Sequence, residues 1–163
     1  MKKLLLAIAF AVACGGSAGG RDTLYKAPPA TLFSTAKSVT EGEHYKIVKT
    51  DEAANHFETE DIWYTPEGQM DTSTGRNVSR LQNDSINITF AVDVKPAGDT
   101  SRVVVTPTIH RMHGLSSLPE TVDGQDPSLP GWVAGKTNAL QAKIHDALTI
   151  YAAPAAPAAP AAK

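Results

Sequence analysis

Ile86-Asn87-Ile88-Thr89-Phe90-Ala91-Val92-Asp93-Val94 decides the fold, because five apolar residues there alternate strictly with Asn87, Thr89, Ala91 and Asp93. A period of two directs Ile86, Ile88, Phe90, Val92 and Val94 to one side of an extended chain and the polar set to the other. The segment therefore predicts a strand buried on one face only, as in an antiparallel sheet. Lys95-Pro96-Ala97-Gly98-Asp99-Thr100 follows as a turn, and 102–112 (RVVVTPTIHRM) reads as the partner strand. Pro107 lacks an amide hydrogen, so the partner is predicted to be an edge there or to carry a bulge.

Upstream, 45–50 (YKIVKT) and 56–64 (HFETEDIWY) read as a hairpin across a polar turn at 51–55. On the second of these strands His56, Glu58 and Glu60 are expected on one face, with Phe57, Thr59 and Trp63 on the other. Leu32, Phe33, Ala36 and Val39 recur at helical spacing between Pro28-Pro29 and Gly42, which predicts the first helix. At the other end, Leu140, Ile144, Ala147, Leu148 and Tyr151 predict a second helix, starting at Asn138 with Gln141 completing a capping box. Residues 69–80 and 113–130 read as loops. The expected architecture is an α+β two-layer sandwich, a four-stranded antiparallel sheet in the order αββββα with both helices on one face. That order resembles helix-grip domains, including those of envelope lipoproteins.

The ends of the chain do not look like fold. Lys2-Lys3 precede ten apolar residues, Leu4 to Ala13. As a helix this run reaches only about 15 Å, about half of a bilayer core, so it reads as an export signal over 1–13 and not as a span. Ala11-Val12-Ala13 satisfies the small-x-small rule for ordinary signal cleavage, and Ala11-Val12-Ala13-Cys14 also resembles the lipobox of bacterial lipoproteins. That resemblance implies diacylglycerol on the Cys14 sulfur, an anchor in the outer membrane and a place in the cell envelope. Residues 14–28, opening with Gly15-Gly16-Ser17-Ala18-Gly19-Gly20, are expected to form a flexible tether, and 29–151 the folded domain. Residues 152–163 repeat Ala-Ala-Pro and end in Lys163, a spacing that suits polyproline II. A lipid-anchored chain ending in lysine resembles the murein-linked lipoproteins, which implies Lys163 as a point of covalent attachment to peptidoglycan.

Composition narrows the functional classes. The 163 residues carry 15 Lys plus Arg against 17 Asp plus Glu, a net charge of −2. With no basic cluster beyond Lys2-Lys3, the charge pattern of a nucleic-acid partner is missing. The single cysteine can form neither an internal disulfide nor a multi-cysteine zinc site. Gly131-Trp132-Val133-Ala134-Gly135-Lys136-Thr137 looks like a phosphate-binding loop, but it has three residues between its glycines where that loop needs four. His110 and His113 are the available metal ligands, and on a strand their spacing sends them to opposite faces. No cofactor is expected. No nucleophile elbow or zinc-protease motif is present, so an enzyme would need a constellation assembled from loops. The favoured expectation is a non-enzymatic envelope lipoprotein that meets envelope proteins or cell wall. The alternative is a binding module with a hydrophobic or peptide groove between sheet and helices, lined by Trp63, Tyr64 and Trp132.

Overall fold

The computed structural model describes residues 22–71, 81–114 and 118–154. The signal at 1–13, Cys14, the glycine tether and Lys163 lie outside them, as does most of the expected 69–80 loop. The described chain is α+β, running α1 (Pro29–Gly42), β1 (Ile47–Asp51), β2 (His56–Thr59), β3 (Ile62–Tyr64), β4 (Ile86–Ala97), β5 (Thr100–Arg111), β6 (Glu120–Val122) and α2 (Gly131–Leu148). All strand pairings are antiparallel, in the order β1-β2-β4-β5-β6, with β3 beside β4.

The alternating segment is the central strand. Ile86, Ile88, Phe90, Val92 and Val94 are buried and share one cluster with Val103, Val105 and Ile109 of β5. Both helices enter that cluster, α1 through Leu32, Phe33 and Ala36, α2 through Val133, Leu140, Ile144 and Leu148. Edge-on ring contacts knit it together, Tyr45 with Phe90 at 5.2 Å and Phe33 with Phe57 at 5.8 Å. The hairpin is tighter than the sequence suggests: its strands run through Ala97 and from Thr100, leaving Gly98 (φ +67°) and Asp99 as a two-residue loop.

Among the described residues the sheet has six strands where four were expected. The segment 56–64 divides because one extra residue enters it. Glu58 faces Ala91 and Ile62 faces Ile88, so four steps on this chain match three on β4. At this bulge the Thr59 hydroxyl takes the place of a backbone acceptor and receives the Phe90 amide at 3.0 Å. The slip reverses side-chain direction beyond it, so Tyr64 turns into the core and Trp63 comes opposite Asn87 on the outer face, not beside Phe57. The sixth strand, β6, arises inside the stretch read as loop, where Glu120–Val122 pairs with Ile109–Arg111.

Helix α1 starts at Pro29, whose missing amide hydrogen costs nothing at a first helical position. It closes in a Schellman motif, Tyr45 N–H to Thr40 O and His44 N–H to Glu41 O, with His44 rather than Gly42 in the left-handed conformation (φ 66°). Helix α2 begins at Gly131, not Asn138, so the glycine segment that looks like a phosphate loop forms its first turns. Gln141 does no capping; it is buried beneath the sheet edge.

The folded unit also reaches beyond 29–151. Tyr25, assigned by sequence to the tether, is fully buried. Its backbone exchanges hydrogen bonds with Ser101, and it bridges to Ala152 on its other side. The Tyr25 hydroxyl lies 2.8 Å from His145 Nδ1 of α2. Ala153 N–H donates to Leu24 O, so residues 24–25 and 152–153 run side by side at one sheet edge.

Candidate functional site

Along β5 the odd-numbered residues direct their backbone groups away from β4. Ser101 is matched by Tyr25, and Ile109 and Arg111 by β6. Between these, the Gln141 side chain acts as a short piece of strand. Its Oε1 accepts Val105 N–H at 2.9 Å and its Nε2 donates to Val103 O at 3.2 Å. Pro107 comes next and has no N–H to satisfy, so the edge position inferred from sequence is the one observed.

Beside Pro107 the edge opens into a cleft of about 430 Å³ between β5, the first turns of α2 and the 123–125 loop. Its apolar wall includes Val105, Pro107, Ile109 and Val133. Gly124 sits close to that wall, and a side-chain carbon there would lie 3.7 Å from Ile109 Cδ1. Arg102, Thr137, Asp22 and Asp123 supply the polar lining.

Two of these groups set the cleft apart. Among the described residues, four buried side-chain atoms have no hydrogen-bond partner, and two of them, Arg102 Nε and Thr137 Oγ1, belong to residues that line this cleft, while Thr65 Oγ1 and Ser85 Oγ lie elsewhere. Thr137 is 2% exposed. A helical threonine can bond the carbonyl four residues back, as Thr40 does to Ala36 O at 2.8 Å in α1. The Thr137 hydroxyl forgoes that bond. A buried polar group without a partner costs about 1–3 kcal/mol.

The other candidate residues are placed as follows. Tyr64 and Trp132 meet, with ring centroids 5.4 Å apart and Lys136 Nζ 4.4 Å from the Tyr64 ring centroid. This corner is filled: Trp132 Nε1–H donates to Pro66 O at 2.9 Å, and Gly68 (φ +86°) presses so closely on the indole that a β-carbon would stand 2.8 Å from it. Trp63 is on the opposite face of the sheet, so the three residues do not line one groove. His110 and His113 are each taken up by β6, His110 Nδ1 with the Thr121 hydroxyl at 3.1 Å and His113 Nε2 with Glu120 Oε2 at 3.1 Å. No group of three His, Cys, Asp or Glu among the described residues can hold a metal ion. A second cleft of about 380 Å³, between α1 and the β1–β2 turn, is lined by Phe33, Lys37, Glu41 and Asn55, and none of the unpartnered atoms belongs to it.

On the outer face, His56 and Glu58 stand together as their spacing predicts, while Glu60 pairs separately with Lys46 at 3.5 Å. His56 is held from both sides, Nδ1 2.9 Å from Asp93 Oδ1 and Nε2 3.0 Å from Glu58 Oε1. Glu58 also accepts from Lys49 Nζ at 2.7 Å. The bonds to Asp93 and then Glu58 favour the imidazolium and raise the His56 pKa, while Lys49 and His56 lower that of Glu58. The His56 contribution is thus complete below its unfolded value of 6.5 and is lost as pH rises through the higher folded value. The stability difference between wild type and His56→Asn should therefore be larger at pH 5.5 than at pH 8.5 in urea titrations. A difference equal at both pH values would show that the imidazolium is not the stabilising form.

Compared with known proteins, the chain matches no family model and no curated sequence.

Proposed function

We propose that this chain is an exported, lipid-anchored binding module whose ligand enters the cleft between the β5 edge and α2. One observation carries the reading: the cleft sets an apolar wall beside Arg102 and Thr137, residues that each hold a buried side-chain atom without a partner. A volume of about 430 Å³ falls within the range of small-ligand pockets, which combine an apolar wall with a few convergent polar groups. The domain is a carrier of a site rather than a catalyst in this reading. The carboxylate-bound His56 is distant in the sheet order from this edge, its partner Asp93 lying on β4, and neither residue lines the cleft.

Thr137→Val tests the site independently of any ligand. Valine keeps the shape and removes the hydroxyl, so the unliganded protein should gain about 1 kcal/mol in urea melts. A loss of similar size would mean that the hydroxyl has a partner and would remove the main support for the cleft.

The anchor rests on the sequence around Cys14. Two or three acyl chains hold a protein firmly at a membrane, at about 0.8 kcal/mol per buried methylene. Cys14→Ser should abolish labelling by radioactive palmitate in cells, and unchanged labelling would refute lipidation.

A further inference from the structure

We infer that the open sheet edge at β1 docks a second copy of this chain, the two β1 strands running antiparallel with Thr50 facing Thr50 across a two-fold axis.

The long edges of the sheet are finished differently. Along β5, the groups pointing away from β4 are taken up by Tyr25, Gln141 and β6, and Pro107 has no N–H to offer. Strand β1 pairs with β2 alone, so its other side is unpaired among the described residues. Such a side presents donors and acceptors on which another strand can build. This edge is also remote in the sheet order from the cleft beside β5, so pairing there leaves the cleft open.

The hydrogen-bond pattern identifies the residue at the axis. Val94 N–H donates to Asn55 O, so alternation along β2 turns Phe57 toward β4 and His56 and Glu58 toward β1. Consistently, Glu60 N–H donates to Lys46 O at 2.7 Å. Lys49 and Asp51, opposite Glu58 and His56, therefore bond inward, and Thr50 between them directs its N–H and C=O outward. Two copies can exchange a pair of bonds at Thr50.

Side-chain charge selects that register. Lys49 and Asp51 flank Thr50 and share the outer face of the sheet. With Thr50 opposite Thr50, each Lys49 stands opposite the other copy's Asp51, once on either side of the axis. Sliding one strand by a single pairing step sets Lys49 against Lys49 or Asp51 against Asp51, and like charges directly opposite are unfavourable. Lys49 is held on this face by Glu58 at 2.7 Å. Asp51 is exposed, and its carboxylate accepts Ala54 N–H at 3.0 Å but meets no cation among the described residues. Val48, 57% exposed at the bulge beside Lys49, gains cover from the added strand. An edge of five residues is small against the about 1,200–2,000 Å² of a stable interface, so the pairing is reversible and is best read by trapping.

Opposed residues of a hydrogen-bonded antiparallel pair have Cα atoms about 5.5 Å apart, within the span of a disulfide. Thr50 is exposed, so cysteine there spares the core. Under mild oxidation, full-length Thr50→Cys in detergent micelles should form linked dimers at least about tenfold faster than Val48→Cys, whose two copies would lie about 13 Å apart. Wild type, whose one cysteine is Cys14, and Leu118→Cys, 90% exposed near β6, give the rate of chance encounters. Added to Thr50→Cys, Lys49→Asp and Asp51→Lys should each slow trapping at least about threefold. Mixing those two proteins should give the mixed dimer rapidly, because one strand then carries two carboxylates and the other two ammonium groups. Val48→Cys trapping as fast as Thr50→Cys, or a mixed dimer forming no faster than either homodimer, would overturn the register. Thr50→Cys trapping no faster than Leu118→Cys would overturn the docking edge itself.

Discussion

Phe90→Asp is expected to eliminate the cooperative unfolding transition, leaving a chain without native near-ultraviolet circular dichroism. Phe90 is 1% exposed at the middle of β4, stacked edge-on with Tyr45 and facing Pro107 across the hairpin. Removing a buried phenylalanine ring costs about 3–5 kcal/mol through lost burial and the cavity left behind. The carboxylate adds a desolvation penalty, since Phe90 is buried in the apolar cluster that β4 shares with β5 and both helices. Together these approach or exceed the about 5–15 kcal/mol that holds a domain folded. A variant melting like the wild type would refute the inward assignment of Phe90. Phe90→Leu, which keeps the apolar character, should fold with a lowered midpoint and so distinguish the effect of charge from that of size.

Gln141→Leu should lose about 2–5 kcal/mol, although leucine is the better helix former and the more hydrophobic residue. The side chain is 1% exposed and satisfies two groups of the β5 backbone at once. Leucine leaves Val105 N–H and Val103 O buried without partners, each worth about 1–3 kcal/mol. Hydrogen exchange at the Val105 amide reports this directly and should accelerate relative to amides of the β4–β5 ladder. Unchanged exchange there would mean that the amide is protected by something other than Gln141. Thr137 lies one turn earlier on the same helix, is equally buried, and has the opposite expected sign when made apolar. The difference lies in partnership: Gln141 completes an edge, whereas the Thr137 hydroxyl has no hydrogen-bond partner.

Much of the fold could be read in the sequence. The period-two run at 86–94 identifies the central strand, Pro107 an edge, and the spacing of Leu32, Phe33 and Ala36 the first helix, because each depends on the local chain meeting a single apolar surface. The bulge between Thr59 and Ile62 could not be read, because it exists to satisfy the register of β4 and has no local turn residue to announce it. Strand β6 has only three residues and its existence depends on β5 being there to receive it. The helical start at Gly131 was hidden by two glycines and Trp132, which look like a loop until Val133 and Thr137 are seen to share the buried stripe of Leu140, Gln141, Ile144 and Leu148.

The cleft was less legible still. A signal for Thr137 and Gln141 does exist, in that both are polar residues on an otherwise apolar helical stripe, but period alone does not distinguish an edge cap from a ligand contact. Arg102 carries no signal, since an arginine in a strand is usually a solvated one. Asp22 and Asp123 lie about a hundred residues apart in the chain and join the lining only through folding.

By itself the sequence determined an α+β domain with a half-buried antiparallel sheet and an apolar face awaiting helices, because periodicity reports which side of each segment must leave water. The expectation of lipidation at Cys14 also belongs to the sequence, since it depends on residues read in an extended chain. The tertiary structure alone decided that Tyr25 belongs to the core, that Gln141 seals β5, and that Arg102 and Thr137 share a cleft. Those outcomes concern single hydrogen-bonding groups, and whether a buried donor or acceptor finds a partner depends on atoms that only folding brings within 3 Å or so of one another.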